Sequence, residues 1–254
     1  MYISQSDTKV KSLHKALCIL DLFNDIPYER GVSEIAEAMD LPKSTVHNIL
    51  HTFVQYGLLE YIENTKRYRI GHKAVELGHA YRQTNDLVSI MKPYMDTIAN
   101  ETKEHVYLGK RTPDNQVLYL ESSSPETSMS ISNVIGIKAP LYCTGIGKAI
   151  LAFAPDSVLE QVVSADMPKF TVNTITDPDS LTREIQQIRS IGYATDDMEH
   201  EFGVKCVAIP LFDPKETLVG AISISGPSLR FPKYKLEEYA VMLQSIAMQI
   251  KRHL

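Results

Sequence analysis

The chain has 254 residues, 22% of them charged and 44% hydrophobic, with a formal net charge of −5. It is long enough for two domains with cores of their own, and its acidic balance excludes a DNA binder of the basic-tail type. No apolar run approaches the roughly 18 residues of a membrane span, and residues 1–10 lack an apolar signal core. Cys18, Cys143 and Cys206 stand far apart, with neither a CxxC pair nor a disulfide framework. A reducing, cytoplasmic setting with no membrane partner is expected.

Leu13, Ala16, Leu17, Leu20 and Phe23 recur at helical spacing and predict the first helix of a three-helix core. Within Gly31–Gly57, two short amphipathic helices meet across Asp40–Leu41–Pro42, the form of a DNA-reading helix-turn-helix. In the second helix Val46, Ile49, Leu50, Phe53 and Val54 define a face that must be buried. The opposite face keeps Ser44, His47, Asn48, His51 and Gln55, uncharged donors and acceptors that suit base edges and phosphates. An ordinary solvated helix face is the plain alternative. Pro42–Lys43–Ser44 opens this helix and Gly57 stops it.

Leu58–Ile62 and Lys66–Ile70, around the polar turn Glu63–Asn64–Thr65, have the pattern of a β-hairpin wing. Alternation places Tyr68 and Ile70 on one side of the second strand and Arg67 and Arg69 on the other. Residues 9–71 therefore read as a winged helix-turn-helix. Residues 1–72 hold eight Lys and Arg against nine Asp and Glu, so bulk charge does not attract DNA. Lys43, Lys66, Arg67 and Arg69 nevertheless cluster where phosphates are expected, and double-stranded DNA is the first candidate partner.

Residues 73–102 read as a helical linker: one helix through Ala74, Leu77 and Tyr81, a polar break at Thr84–Asn85–Asp86, then a second helix through Leu87, Ile90, Met91, Tyr94 and Ile98. Residues 103–254 are mixed α and β. Strand pairs are predicted at His105–Lys110 with Val117–Ser122, and at Cys206–Phe212 with Leu218–Ser225. Helices are predicted at Gly147–Phe153, Ser157–Val163, Ser180–Ile191 and Lys233–His253. The fold class is α+β: an N-terminal winged helix-turn-helix, a helical linker and a C-terminal sensor module.

Five blocks, VSEIAEAMDLPKSTVHNILHTFVQYGLLE, RYRIGHKAVELG, APLYCTGIGKAILA, GYATDDMEHEFGVKCVAIPLFD and GAISISGP, stand in the order and spacing of the IclR family of bacterial transcriptional regulators, which the chain resembles over nearly its whole length. The resemblance implies a GAF-like effector-binding domain at the C-terminus and assembly as dimers or tetramers on palindromic or repeated operators. Similar proteins respond mostly to small carboxylates, aldehydes or aromatic acids. The resemblance also carries over DNA contacts to Lys43, Ser44, Thr45 and His47, and in the wing to Arg67. Where the family commonly has Arg, this chain has Asn48, an amide that can pair with adenine. Operator preference is the property this departure touches.

The DNA-binding set expected is Lys43, Ser44, Thr45, His47, Asn48, His51, Lys66 and Arg67. For the effector, Tyr142–Lys148 leads from an extended run into a helix, whose start can hold an anion through backbone N–H groups at Gly145 and Ile146. Glycines used only for a tight turn are the plain alternative. The loop is not a Walker A motif, because Tyr142 and Ala149 replace its Gly and Ser or Thr. Ser223 and Ser225 flank Ile224 and share one strand face, Cys206 opens the neighbouring strand, and Asp196 and Glu199 lie in the loop before it. The resemblance places these motif positions around the ligand. Asp196 would repel a carboxylate unless it were protonated or faced a ligand hydroxyl, so the expected effector is an acid with a further hydroxyl, carbonyl or hydrate. Two rivals use the same residues. Asp196, His200 and Cys206 hold the parts of a cysteine hydrolase, and with Glu199 they could make a metal sensor, although the spacing fits no closed zinc pattern. The reading chosen is a regulator, not an enzyme, with no cofactor and no resident metal.

Overall fold

The computed structural model describes residues 9–24, 28–125 and 134–254. The chain divides into two compact units, Met1–Thr84 and Asn85–Leu254.

The first unit runs α1 (Lys11–Asp21), α2 (Val32–Met39), α3 (Lys43–Gln55), β1 (Leu59–Ile62), β2 (Arg67–Ile70) and α4 (Lys73–Thr84). Glu34 caps the start of α2, accepting the Gly31 N–H through Oε2 at 3.0 Å. Asp40, in the left-handed region at φ 49°, ends it, and Pro42 directs the chain into α3. Ile19, Phe23, Ile35, Val46, Leu50, Leu59 and Tyr68 form the core. On α1 the buried face runs through Cys18 and Ile19, and Phe23 just beyond the helix joins it, whereas Leu13 and Leu17, expected in the core, are 55% and 49% exposed. This helix is apolar on two sides, so spacing alone does not choose between them. β1 and β2 form the antiparallel wing from Leu59↔Ile70 to Ile62↔Arg67. Arg30 forms a further bridge to Tyr68. α4 buries no residue, and Val75, Leu77 and Tyr81 are exposed on it.

In the second unit α5 (Asp86–Thr102) begins at Asn85, whose side chain accepts the Val88 N–H at 3.2 Å. The connector read over 73–102 therefore divides at its polar break. α4 stays with the first unit, while α5 buries Val88, Met91, Met95, Ile98 and Ala99 in the second. There follow β3 (His105–Arg111), β4 (Gln116–Ser123), β5 (Lys138–Pro140), α6 (Gly145–Phe153), α7 (Asp156–Ser164), α8 (Pro178–Ile191), β6 (Ala194–Asp197), β7 (Val204–Phe212), β8 (Leu218–Pro227) and α9 (Lys233–Ile250). The six strands form one antiparallel sheet in the order β5-β4-β3-β8-β7-β6. Alternation sends Val106, Leu108, Val207, Ile209, Ile222 and Ile224 into a core with α5 and α9. Tyr107, Tyr119, Ala194, Ala208 and Ala221 face the other core, built on α6, α7 and α8. Asp196 was expected in a loop but stands on β6, paired with Cys206; the short Ala194–Thr195–Asp196–Asp197 run carries too little hydrophobic contrast to announce a strand.

Candidate functional site

On α3, Lys43, Ser44, His47, Asn48, His51 and Gln55 are exposed and Thr45 is half-buried, while Val46 and Leu50 point into the core. The exposed positions follow helical spacing and form one polar stripe. The His47 and His51 rings stack within it, with centroids 6.4 Å apart. Beside the stripe lies an open cleft of about 670 Å³, lined by Ser33, Glu34, His47, His51, Tyr61 and Lys66 among others. The two wing arginines differ from Lys66, which is exposed at the hairpin turn. Arg69 pairs with Glu60 at 3.0 Å. Arg67 donates to Glu34 Oε2 at 2.7 Å and to the Glu29 carbonyl at 2.9 Å.

In the second unit Thr144 caps α6 by accepting the Gly147 N–H at 3.1 Å. Gly145 and Ile146 are buried at the helix start. A Cβ on Gly145 would stand 2.4 Å from Cys206 Sγ, and one on Gly147 would stand 2.5 Å from the Leu141 carbonyl oxygen. Both glycines therefore have a steric role, and they let the positive end of α6 sit directly against β7.

Strand register assembles the rest. Asp196 pairs with Cys206, Cys206 with Ser225 and Ser225 with His105, a polar row across four strands on the face that α6 covers. The adjacent row runs Ala208, Ser223, Tyr107. Asp196, Cys206, Ser223 and Ser225 are buried side by side. His105 and Tyr107 were not singled out from the sequence, although their alternation with Val106 and Leu108 was visible. The Tyr107 ring lies edge-on to Tyr119 at 5.7 Å, adding an aromatic wall.

A buried charge cluster supports this row. Asp196 Oδ1 accepts the Glu199 N–H at 2.7 Å. Glu199 Oε1 accepts from Lys148 Nζ at 2.5 Å, and Lys148, which is fully buried on α6, also donates to Glu184 at 3.0 Å. Glu199 Oε2 is buried with no partner. Burial pushes the Asp196 carboxyl up to about 6, against the opposing pull of the Glu199 N–H and Lys148. Burial likewise outweighs Lys148 at Glu199 and lifts it to about 7. Lys148 is pulled down by burial, but Glu199 and Glu184 more than compensate and keep it charged. The loop carrying Glu199 is strapped in place, since Thr171 and Thr174 donate to the carbonyls of Met198 and Glu199, each at 2.6 Å. Lys148 was missed as a site residue because a lone lysine in an apolar helix shows no partner in the sequence.

The geometry weighs against the hydrolase. Burial, with Asp196 beside it, pushes the Cys206 thiol well above its ordinary range, whereas a nucleophile needs the thiolate. The His200 ring packs against Phe170 at 5.0 Å. Among the described residues, no three His, Cys, Asp or Glu side chains are grouped to hold a metal ion. No helix among them is long and apolar enough to cross a membrane.

Comparisons with known proteins agree with this layout. The IclR helix-turn-helix domain matches residues 12–63, and the C-terminal domain of bacterial IclR transcriptional regulators matches residues 79–252. The chain is 30% identical to the HTH-type transcriptional regulator KdgR of Escherichia coli over 247 residues, covering 96% of this chain and 94% of KdgR. It is 34% identical to the regulator BhcR of Paracoccus denitrificans over 230 residues, 89% of this chain and 81% of BhcR. An IclR homolog from Microbacterium hydrocarbonoxydans, solved in complex with 4-hydroxybenzoate, superposes with a TM-score of 0.79 at 26% identity, covering 96% of this chain and 98% of that one. These relatives are regulators, not enzymes, and the chain belongs to the IclR family of bacterial transcriptional regulators.

Proposed function

We propose that the chain acts in the cytoplasm as a dimer or tetramer on palindromic or repeated operators, reads DNA with α3, and responds to a small carboxylate bound at the start of α6. On the DNA side, Lys43, Ser44, Thr45, His47, Asn48, His51 and Lys66 contact bases and phosphates. Two α3 helices of a symmetric dimer enter major grooves about 10 bp apart or a multiple of that. Self-association is supported by apolar side chains that are exposed on the single chain: Leu13 and Leu17 on α1, and Val75 and Leu77 on α4.

The observation that carries the effector reading is the buried polar row Asp196–Cys206–Ser225, with Ser223 beside it, lying against the N-terminal end of α6. Buried polar groups without a job are costly, and these lie at a helix end that favours negative charge. The ligand carboxylate sits near the amides of Gly145 and Ile146, its second polar group near Asp196 and Glu199, and its remaining oxygens near Ser223, Ser225 and Cys206. A hydroxy acid satisfies Asp196 as a donor, and the Microbacterium homolog's ligand, 4-hydroxybenzoate, is such an acid. A thermal-shift screen of small 2-oxo, hydroxy and aromatic acids tests the reading. An acid at ~100 times its dissociation constant stabilises the protein by about 2.7 kcal/mol. Its affinity falls about tenfold or more in Ser223→Ala or Ser225→Ala, because each loses a hydrogen bond to a charged ligand. Unchanged affinity in the double serine variant moves the pocket elsewhere.

A further inference from the structure

We propose that Arg67 is a positioning residue for DNA binding: it fastens the wing to the start of α2, sets the opening of the cleft between wing and reading helix, and makes no phosphate contact itself. Its guanidinium is already engaged. Nη2 donates to Glu34 Oε2 at 2.7 Å and to the Glu29 carbonyl at 2.9 Å, and Nε donates to the same carbonyl at 3.3 Å. The Glu34 oxygen that receives Arg67 also accepts the Gly31 N–H at 3.0 Å, so one carboxylate joins β2 to the first turn of α2.

Neighbouring contacts make this a seam. Arg30 and Tyr68 exchange both backbone hydrogen bonds, at 3.0 and 2.9 Å, so the segment just before α2 is bridged at Arg30 to the middle of β2. Arg30 Nε donates to the Leu22 carbonyl at 2.6 Å and ties that segment to the end of α1. Gly31, Glu34 and Tyr68 from this seam line the cleft, together with Lys66 from the wing turn and His47 and His51 from α3. The cleft opens as wide as the seam allows. A duplex laid on α3 would pass its sugar-phosphate backbone along it, where Lys66 is exposed and, unlike Arg67, has no ion pair to break among the described residues. Turning Arg67 toward a phosphate would break three hydrogen bonds and cost the Glu34 carboxylate its ion pair beside a polyanion.

This gives a test in which the two roles differ in sign. Removing a carboxylate from a DNA-facing surface strengthens binding if that carboxylate is only a bystander, and weakens it if the carboxylate holds the wing in place. Glu34→Gln is the variant of choice, because the amide oxygen still accepts the Gly31 N–H while the charge that holds the Arg67 guanidinium is removed. The full-length protein and its Glu34→Gln, Arg67→Ala and Lys66→Ala variants are titrated against a duplex selected by the native protein from a random pool, at several salt concentrations. The proposal expects Glu34→Gln to weaken binding about threefold or more. Arg67→Ala weakens it further with the slope of log affinity against log salt unchanged, whereas Lys66→Ala lowers that slope by about 0.9 per lost contact. Without DNA, both seam variants speed amide exchange at Arg30 and Tyr68. Three outcomes each overturn the proposal: a slope flattened in Arg67→Ala as in Lys66→Ala, equal or tighter binding by Glu34→Gln, or unchanged exchange at the seam.

Discussion

The two units keep their polar groups in opposite environments. On α3 of the first unit, Ser44, His47, Asn48 and His51 face water, so exchanging one for another costs the fold almost nothing. Between the sheet and α6 of the second unit, Asp196, Glu199, Lys148, Ser223 and Ser225 are buried, and Glu199 keeps an oxygen without a partner. Burial of that kind costs stability unless every group is matched, so such a cluster marks a site built at the fold's expense. On the proposed reading, operator recognition can thus drift by surface substitution, whereas the effector pocket changes only through coupled changes in a core.

Substitutions in the buried cluster sharpen the contrast most. Lys148→Met leaves Glu199 and Glu184 without their shared cation, and breaking a buried pair costs about 3–5 kcal/mol. Urea unfolding at pH 8 should show that loss, and it should shrink at pH 5, where Glu199, whose carboxyl lies near 7, takes up a proton. A carboxyl raised in the folded state contributes stability that is full below its unfolded value and lost as pH rises through the folded one. With Asp196 lifted to about 6, and Glu199 to about 7, the native protein should therefore lose stability from about pH 4 to pH 7. Asp196→Asn removes one of these groups, so at pH 7.5 it should unfold about 2–3 kcal/mol harder than the native chain, with a flatter pH profile. A less stable Asp196→Asn protein at that pH would mean the carboxylate is well matched where it lies.

Gly145→Ala drives a methyl group against Cys206 Sγ and should cost about 1–3 kcal/mol, measured by thermal unfolding. Adding Cys206→Ala should recover part of the loss, since the sulfur is the atom in the way. At the small end, Asn48→Ala should move stability by less than about 0.5 kcal/mol while lowering discrimination at one base pair by about 1–3 kcal/mol. Equal losses on all duplexes would show that Asn48 contacts the backbone instead.

The same contrast explains what could be read in advance. The stripe on α3 was legible because one helix contains both its buried and its exposed face. Ser223, Ser225 and Cys206 were legible because alternation along a strand is local. Lys148 was not, since its partners lie 36 and 51 residues away and only the fold brings them together. Asp196 was assigned to a loop because β6 is short and polar. For Arg67, nothing in the local pattern reveals Glu29 and Glu34, 38 and 33 residues earlier, as partners that compete with a phosphate.

The central claim is that the buried row at the start of α6 receives the signal that the exposed stripe on α3 delivers to DNA. Titrating the selected duplex with native protein and with Ser223→Ala/Ser225→Ala, each with and without the acid found by thermal shift, tests it most directly. The account predicts that both proteins bind the duplex equally without acid, and that only the native protein changes affinity when acid is added. A double variant that responds to the acid as the native protein does would contradict it.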